Sequence, residues 1–232
     1  MGEATQDLGQ IQKIMENGNY EEARPMLKEY LAANPNDTLA IRLYGNTFAY
    51  TGFLGKAKKI WHDGLRKFPE NVDLLYNYAL AHYLQGNLFY ARRYWKKALK
   101  FAPEDSEIYF NLGQIARDEG RLKAAVNYWR KALRFKPDNV EVMNNIGVAY
   151  ATLRSFGKAA IWYKKAVKTD DNYALAHFNL ANALFETGEF ENSQKHAETA
   201  AKLDPAAHME TVSLLLRKIK DKMAGGSNST EA

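Results

Sequence analysis

Four asparagines, Asn77, Asn111, Asn145 and Asn179, stand 34 residues apart. A side-chain amide carries N–H donors and a carbonyl acceptor, so it can pair with a peptide N–H and C=O together. A regular row of such groups suits holding an extended chain by its backbone, largely regardless of sequence. It does not suit bond-making chemistry, and the remaining polar residues agree. The histidines, His62, His82, His177, His196 and His208, form no metal-ligand pair of the HExxH kind. The absence of cysteine removes thiolate ligands, a thiol nucleophile and any disulfide framework. No Gly-rich phosphate loop and no GxSxG elbow occurs. We therefore expect no catalytic residues, no metal and no cofactor.

The asparagines belong to a wider register. Pro35, Pro69, Pro103, Pro137 and Pro205 lie on one 34-residue ladder, with Asp171 on the missing rung. Proline lacks an N–H and disfavours helix at the residue before it, so each should close a helix. Gly45, Ala79, Gly113, Gly147 and Ala181 fall in one helix of successive units. Ala23, Ala57, Ala91, Ala125, Ala159 and Ser193 fall early in the next. Small side chains at fixed places let paired helices approach closely. Trp61, Trp95, Trp129 and Tyr163 share another place and should fill the remaining gaps. Gly18, Gly52, Gly86, Gly120 and Gly188 mark the turn between helices, with Arg154 the exception.

This register resembles the tetratricopeptide repeat (TPR) family. The resemblance implies an all-α, right-handed alpha-alpha superhelix, a TPR solenoid. Its repeats, one to six, are 4–37, 38–71, 72–105, 106–139, 140–173 and 174–207. Repeat one is degenerate, as end units often are, because one face meets water. Pro25 inside its second helix should cost a backbone hydrogen bond and kink or delay that helix. Beyond repeat six, Met209, Val212, Leu216, Ile219 and Met223 recur at helical spacing and predict a capping helix over 208–223. The small, polar tail 224–232 should be disordered.

In the family, the first helices of successive repeats line a concave groove. Carried onto this chain, place six of the repeat gives the asparagine ladder. Tyr76, Phe110 and Phe178 precede it at place five, where Asn144 breaks the series. Aromatics beside adaptable amides make a peptide-binding surface, with partial burial between helices as the competing role. Arg42, Asn46 and Asn77 match in kind three places of the carboxylate clamp used by some TPR proteins. Glu107 and Asn111 hold the other two, and an acid there would repel a carboxylate, so chaperone-tail binding is disfavoured. Asp73, Glu107 and Glu141 should complement helix N-terminal dipoles, with an acidic groove lip that favours a neutral or basic segment as the alternative.

The second helices carry a basic outer stripe, Lys96-Lys97, Arg130-Lys131 and Lys164-Lys165. Its default role is a solvated surface, with docking of an anionic partner as the alternative. A net charge of +5 is too mild to point to nucleic acid.

The expected function is a scaffold or adaptor that binds a protein or peptide partner in its groove. The alternative is a self-assembling or complex-assembly module, as in bacterial envelope or pilus assembly, and this leaves room for a homo-oligomer. The apolar runs are too short for a transmembrane segment. The polar start MGEATQDLGQ shows no signal peptide, which favours the cytoplasm. The periplasm fits if a signal or lipid anchor has been removed.

Overall fold

The computed structural model describes residues 7–227, except the side chains of 206–209 and 225–227. Among the described residues every regular element is helical, in the order α1 (Leu8–Glu16), α2 (Tyr20–Ala33), α3 (Thr38–Tyr50), α4 (Leu54–Lys67), α5 (Val72–Leu84), α6 (Leu88–Ala98), α7 (Ser106–Asp118), α8 (Leu122–Phe135), α9 (Val140–Thr152), α10 (Phe156–Thr169), α11 (Ala174–Glu186), α12 (Phe190–Leu203) and α13 (Pro205–Ser227). No helix among them is long and apolar enough to cross a membrane.

The chain divides into two compact units at Ile108–Tyr109, inside α7. In the first unit, α1/α2, α3/α4 and α5/α6 form three antiparallel hairpins. Ile11, Met15, Ala23, Leu27, Ala40 and Leu43 make one buried cluster there. In the second unit, α8 packs on α9, α9 on α10, α10 on α11 and α11 on α12. Trp129 centres a cluster with Ala116, Ala125, Val142 and Ile146.

The small residues do what their spacing predicts. A Cβ added at Gly45 would overlap the Trp61 indole, one at Gly113 the Trp129 indole, and one at Gly147 the Tyr163 ring. In repeat six the paired small residues hydrogen-bond instead, Ser193 Oγ donating to the Ala181 carbonyl at 2.7 Å.

Turns are held by backbone handedness. Gly120 has φ 72°, in the region that costs an L side chain about 1–2 kcal/mol. Arg154 takes the same turn with φ 55° and accepts that strain. Five first helices open on a capping side chain one place before them. Asp7 accepts from the Gly9 N–H at 3.0 Å, Asp37 from Ala40 at 3.0 Å, Asn71 from Leu74 at 2.9 Å, Asp105 from Ile108 at 2.9 Å and Asn139 from Val142 at 3.1 Å. Each satisfies one of the N–H groups that a helix start leaves unpaired.

The prolines turn out to be dispensable stops. α10 ends at Thr169, the same repeat place as Phe135 of α8, although Asp171 replaces the proline. Pro205 is the first residue of α13, where its missing N–H costs nothing. Pro25 sits within an uninterrupted α2.

α13 starts before and ends after the segment 208–223. It buries Val212, Leu215 and Ile219 against Ala181 and Ala197, with Leu216 half-buried beside them. Leu215 therefore replaces Leu216 as the inward residue, and Met223 stays 37% exposed. The Met209 side chain and residues 228–232 of the expected tail lie outside the described residues.

Candidate functional site

The sequence-derived site residues fall on first helices in both units, and each unit shows its own arrangement. In the second unit, α7, α9 and α11 carry Asn111, Asn145 and Asn179 at equivalent places, all half-buried. α9 packs directly against α11. Asn179 Nδ2 donates to Asn144 Oδ1 at 2.9 Å, a bond that joins these two helices. Asn144 is 3% exposed. The residue that breaks the aromatic series at place five thus fixes the rotamer of the next asparagine. Asn179 keeps its carbonyl and a second N–H for another partner.

The Asn145 side chain makes no hydrogen bond among the described residues. One turn after Asn111, Gln114 has a buried Oε1 with no donor. One turn after Asn179, Asn182 donates to the Phe178 carbonyl at 2.9 Å. Gln114, Asn144 and Asn182 extend the amide surface, and the single-place ladder missed them. The signal that could have found them is amide enrichment at neighbouring places five and nine of the repeat.

In the first unit the ladder asparagine folds back on its own helix. Asn77 Nδ2 donates to the carbonyl of Asp73 on its own helix, at 2.7 Å. The Asp73 carboxylate lies 3.7 Å from Arg42 Nε, an ion pair that links α5 to α3. Asn46 is half-buried one turn after Arg42. An Arg42 already facing an acid is poorly suited to grip a ligand carboxylate.

The aromatics are half-buried and serve the core with one side. Tyr76 lies 6.2 Å from the Trp95 ring. Phe110 packs on the Trp129 cluster, and Phe178 packs on the cluster that α13 completes. The basic residues Lys96, Arg130, Lys131, Lys164 and Lys165 are exposed and Lys97 is half-buried, on α6, α8 and α10. Lys165 sits 4.3 Å from the Trp162 ring centre, Lys131 5.5 Å from that of Tyr109, and Lys164 3.9 Å from the Glu189 carboxylate.

Two histidines distant in sequence meet between α11 and α12. His177 and His196 face each other through Nδ1 atoms 3.0 Å apart, and His177 Nε2 lies 3.1 Å from the Asp171 carbonyl. A carbonyl only accepts, so His177 carries its proton on Nε2 and takes the Nδ1–H of His196 on its own Nδ1. Burial, then His177 and Lys164, hold His196 below the ordinary imidazole range. Among the described residues no three metal-ligating side chains converge.

This geometry can be set beside known proteins. A TPR repeat family model matches 113–153, and tetratricopeptide repeat models match 45–88, 72–105, 140–173 and 174–207. The chain matches no curated protein sequence. Among solved structures it is similar to the pilF protein of Pseudomonas aeruginosa, with a TM-score of 0.76 and 18% identity, covering 92% of this chain and 95% of that one. It is also similar to YrrB, described as a TPR protein with an unusual peptide-binding site, with a TM-score of 0.67 and 17% identity over 83% of this chain and 97% of that one. A third is the MamA protein, with a TM-score of 0.61 and 20% identity over 71% of this chain and 90% of that one. These likenesses share one fold, the TPR solenoid. With family models matching 45–105 and 113–207, well over half of its length, the chain belongs to the tetratricopeptide repeat family.

Proposed function

We propose that the chain is a non-catalytic scaffold that holds an extended segment of a partner protein along its first helices. The asparagine row would read the segment's backbone, and Tyr76, Phe110 and Phe178 would add side-chain selectivity. The observation that carries this reading is the amide surface of the second unit. The Asn145 side-chain amide has no hydrogen-bond partner among the described residues, Gln114 Oε1 has no donor, and Asn144 holds Asn179 in a fixed pose. Buried or half-buried amides left unpaired are costly, and a guest backbone supplies the missing donors and acceptors.

The first unit contributes less to this reading, because Asn77 and Arg42 already have partners. The test starts with capture of partners from lysate and mapping of the bound segment. Asn111→Ala combined with Asn145→Ala should then weaken binding of that segment roughly tenfold to a hundredfold, from two lost amide pairings of about 0.5–1.5 kcal/mol each. Thermal melting should stay within a few degrees of the parent. Unchanged affinity in the double variant rules the row out.

A further inference from the structure

Charge is sorted by helix in the second unit. α8 and α10 each carry four Lys or Arg and no carboxylate. α9 and α11, which bear Asn145 and Asn179, carry Glu141 and Glu186 and no Lys or Arg. On α7 within this unit, Asp118 is taken by Arg117, through Nε at 3.1 Å and Nη2 at 2.9 Å. The first helices of the first unit show no such bias. They hold Lys13, Glu16, Arg42 and Asp73, two of each sign.

The two glutamates share a face with the asparagines. Glu141, Asn145, Val148 and Thr152 follow one another at helical spacing along α9, as Leu175, Asn179, Asn182 and Glu186 do along α11. Both glutamates are exposed, and neither carboxylate has an ion pair or hydrogen bond among the described residues. Val148 and Leu175 are each 37% exposed on the same two stripes.

Helix ends account for one glutamate and not for the other. Glu141 lies in the first turn of α9, where a carboxylate complements the dipole. Glu186 is the last residue of α11, where a carboxylate opposes it. Leu175 stands in the first turn of α11, where an acid would have helped that helix. Glu186 therefore works against its own helix and meets no cation, which leaves its charge available to a guest.

We propose that the segment held by the second unit is basic, an inference that rests on the amide-row reading above. Glu141 and Glu186 stand at opposite ends of neighbouring helices, about 19 Å apart from the rise along the axis and the spacing between axes. An extended chain spans that distance in about six residues. Two Lys or Arg at that spacing would face Glu141 and Glu186. Asn145 and Asn179 would hold the backbone between them, and a small aliphatic side chain would rest on Val148. An acidic segment would be repelled here and drawn to α8 and α10 instead.

The experiment screens the full chain against an array of random peptides of about twelve residues, capped at both ends. Binders should be enriched in pairs of Lys or Arg about five to seven residues apart and depleted of Asp and Glu. The tightest is then titrated by fluorescence anisotropy, as it stands and with each Lys acetylated and each Arg replaced by citrulline. Neutralisation should lower affinity about fourfold to twenty-five-fold, from about twofold to fivefold for each exposed ion pair. Glu141→Gln with Glu186→Gln should cause the same loss and erase the difference between charged and neutral forms. Its melting temperature should be unchanged or higher, since Glu186 opposes its helix dipole. Glu198→Gln with Glu210→Gln alters total charge equally and should stay within twofold. Neutral or acidic binders, equal binding of the charged and neutral forms, or an equal loss in the Glu198/Glu210 pair overturns the inference and leaves the amide row standing. Binding that Asn111→Ala with Asn145→Ala leaves unchanged overturns the row and the inference with it, and so does an array without binders.

Discussion

Repeats three and four solve the same packing problem differently, and a single methyl group separates them. In repeat four, Gly113 leaves room for the Trp129 indole, whose Nε1–H donates to the Phe110 carbonyl at 3.2 Å. Repeat two does the same with Gly45, Trp61 and the Arg42 carbonyl, again at 3.2 Å. In repeat three Ala79 occupies the glycine place and Trp95 keeps the tryptophan. The added Cβ stands where the indole lies in the other two repeats. Trp95 is fully buried, packs at 5.7 Å from Tyr83, and its Nε1–H has no partner. His82 in the same repeat is 6% exposed with neither ring nitrogen paired. Repeat three thus buries polar atoms that repeat four pairs.

The comparison can be broken most forcefully at the glycine. Gly113→Ala forces a methyl into the Trp129 indole and should cost about 1–3 kcal/mol, read as a lower urea midpoint at constant slope. A neutral result would mean that the indole shifts freely, and the contrast with Ala79 would lose its cause.

Removing the indole nitrogen probes the difference itself. Trp129→Phe gives up a hydrogen bond, whereas Trp95→Phe removes an unsatisfied donor. Trp129→Phe should therefore be the more destabilising by about 1 kcal/mol, and equal costs would contradict the assignment of partners.

The third probe is pH. Burial, with Lys58 nearby, holds His82 below its ordinary value of about 6.5. A depressed histidine contributes stability that is complete above the unfolded value and is lost as pH falls through the folded one. Melting temperature should decline as pH drops from 7.5 to 5.5, and His82→Phe should flatten part of that decline. His196, also depressed by burial, accounts for a further part. An undiminished slope in the variant would clear His82 of the effect.

The hairpin succession and its close approaches were legible in the sequence, because small and large residues recur at one period and packing obeys the same period. Gly147 beside Tyr163 is one example. Pairings between helices were not. Asn144 with Asn179, and His177 with His196, depend on which rotamers neighbouring helices allow, and spacing along the chain does not encode rotamers. The local bond of Asn77 was hidden for a related reason. A side-chain amide on a helix can bond the carbonyl four residues back, and Asn77 does so with Asp73. The proline ladder misled slightly, since α10 stops at Thr169 without one.

The central claim is that amides on α7, α9 and α11 hold a guest by its backbone. The most direct measurement is titration calorimetry of the mapped partner segment against a series in which single backbone nitrogens are methylated. The account predicts that methylation at positions facing Asn111 and Asn145 lowers affinity about tenfold each, while conservative side-chain changes at the same positions change it little. Uniform tolerance of backbone methylation, with large losses on side-chain change, would contradict it.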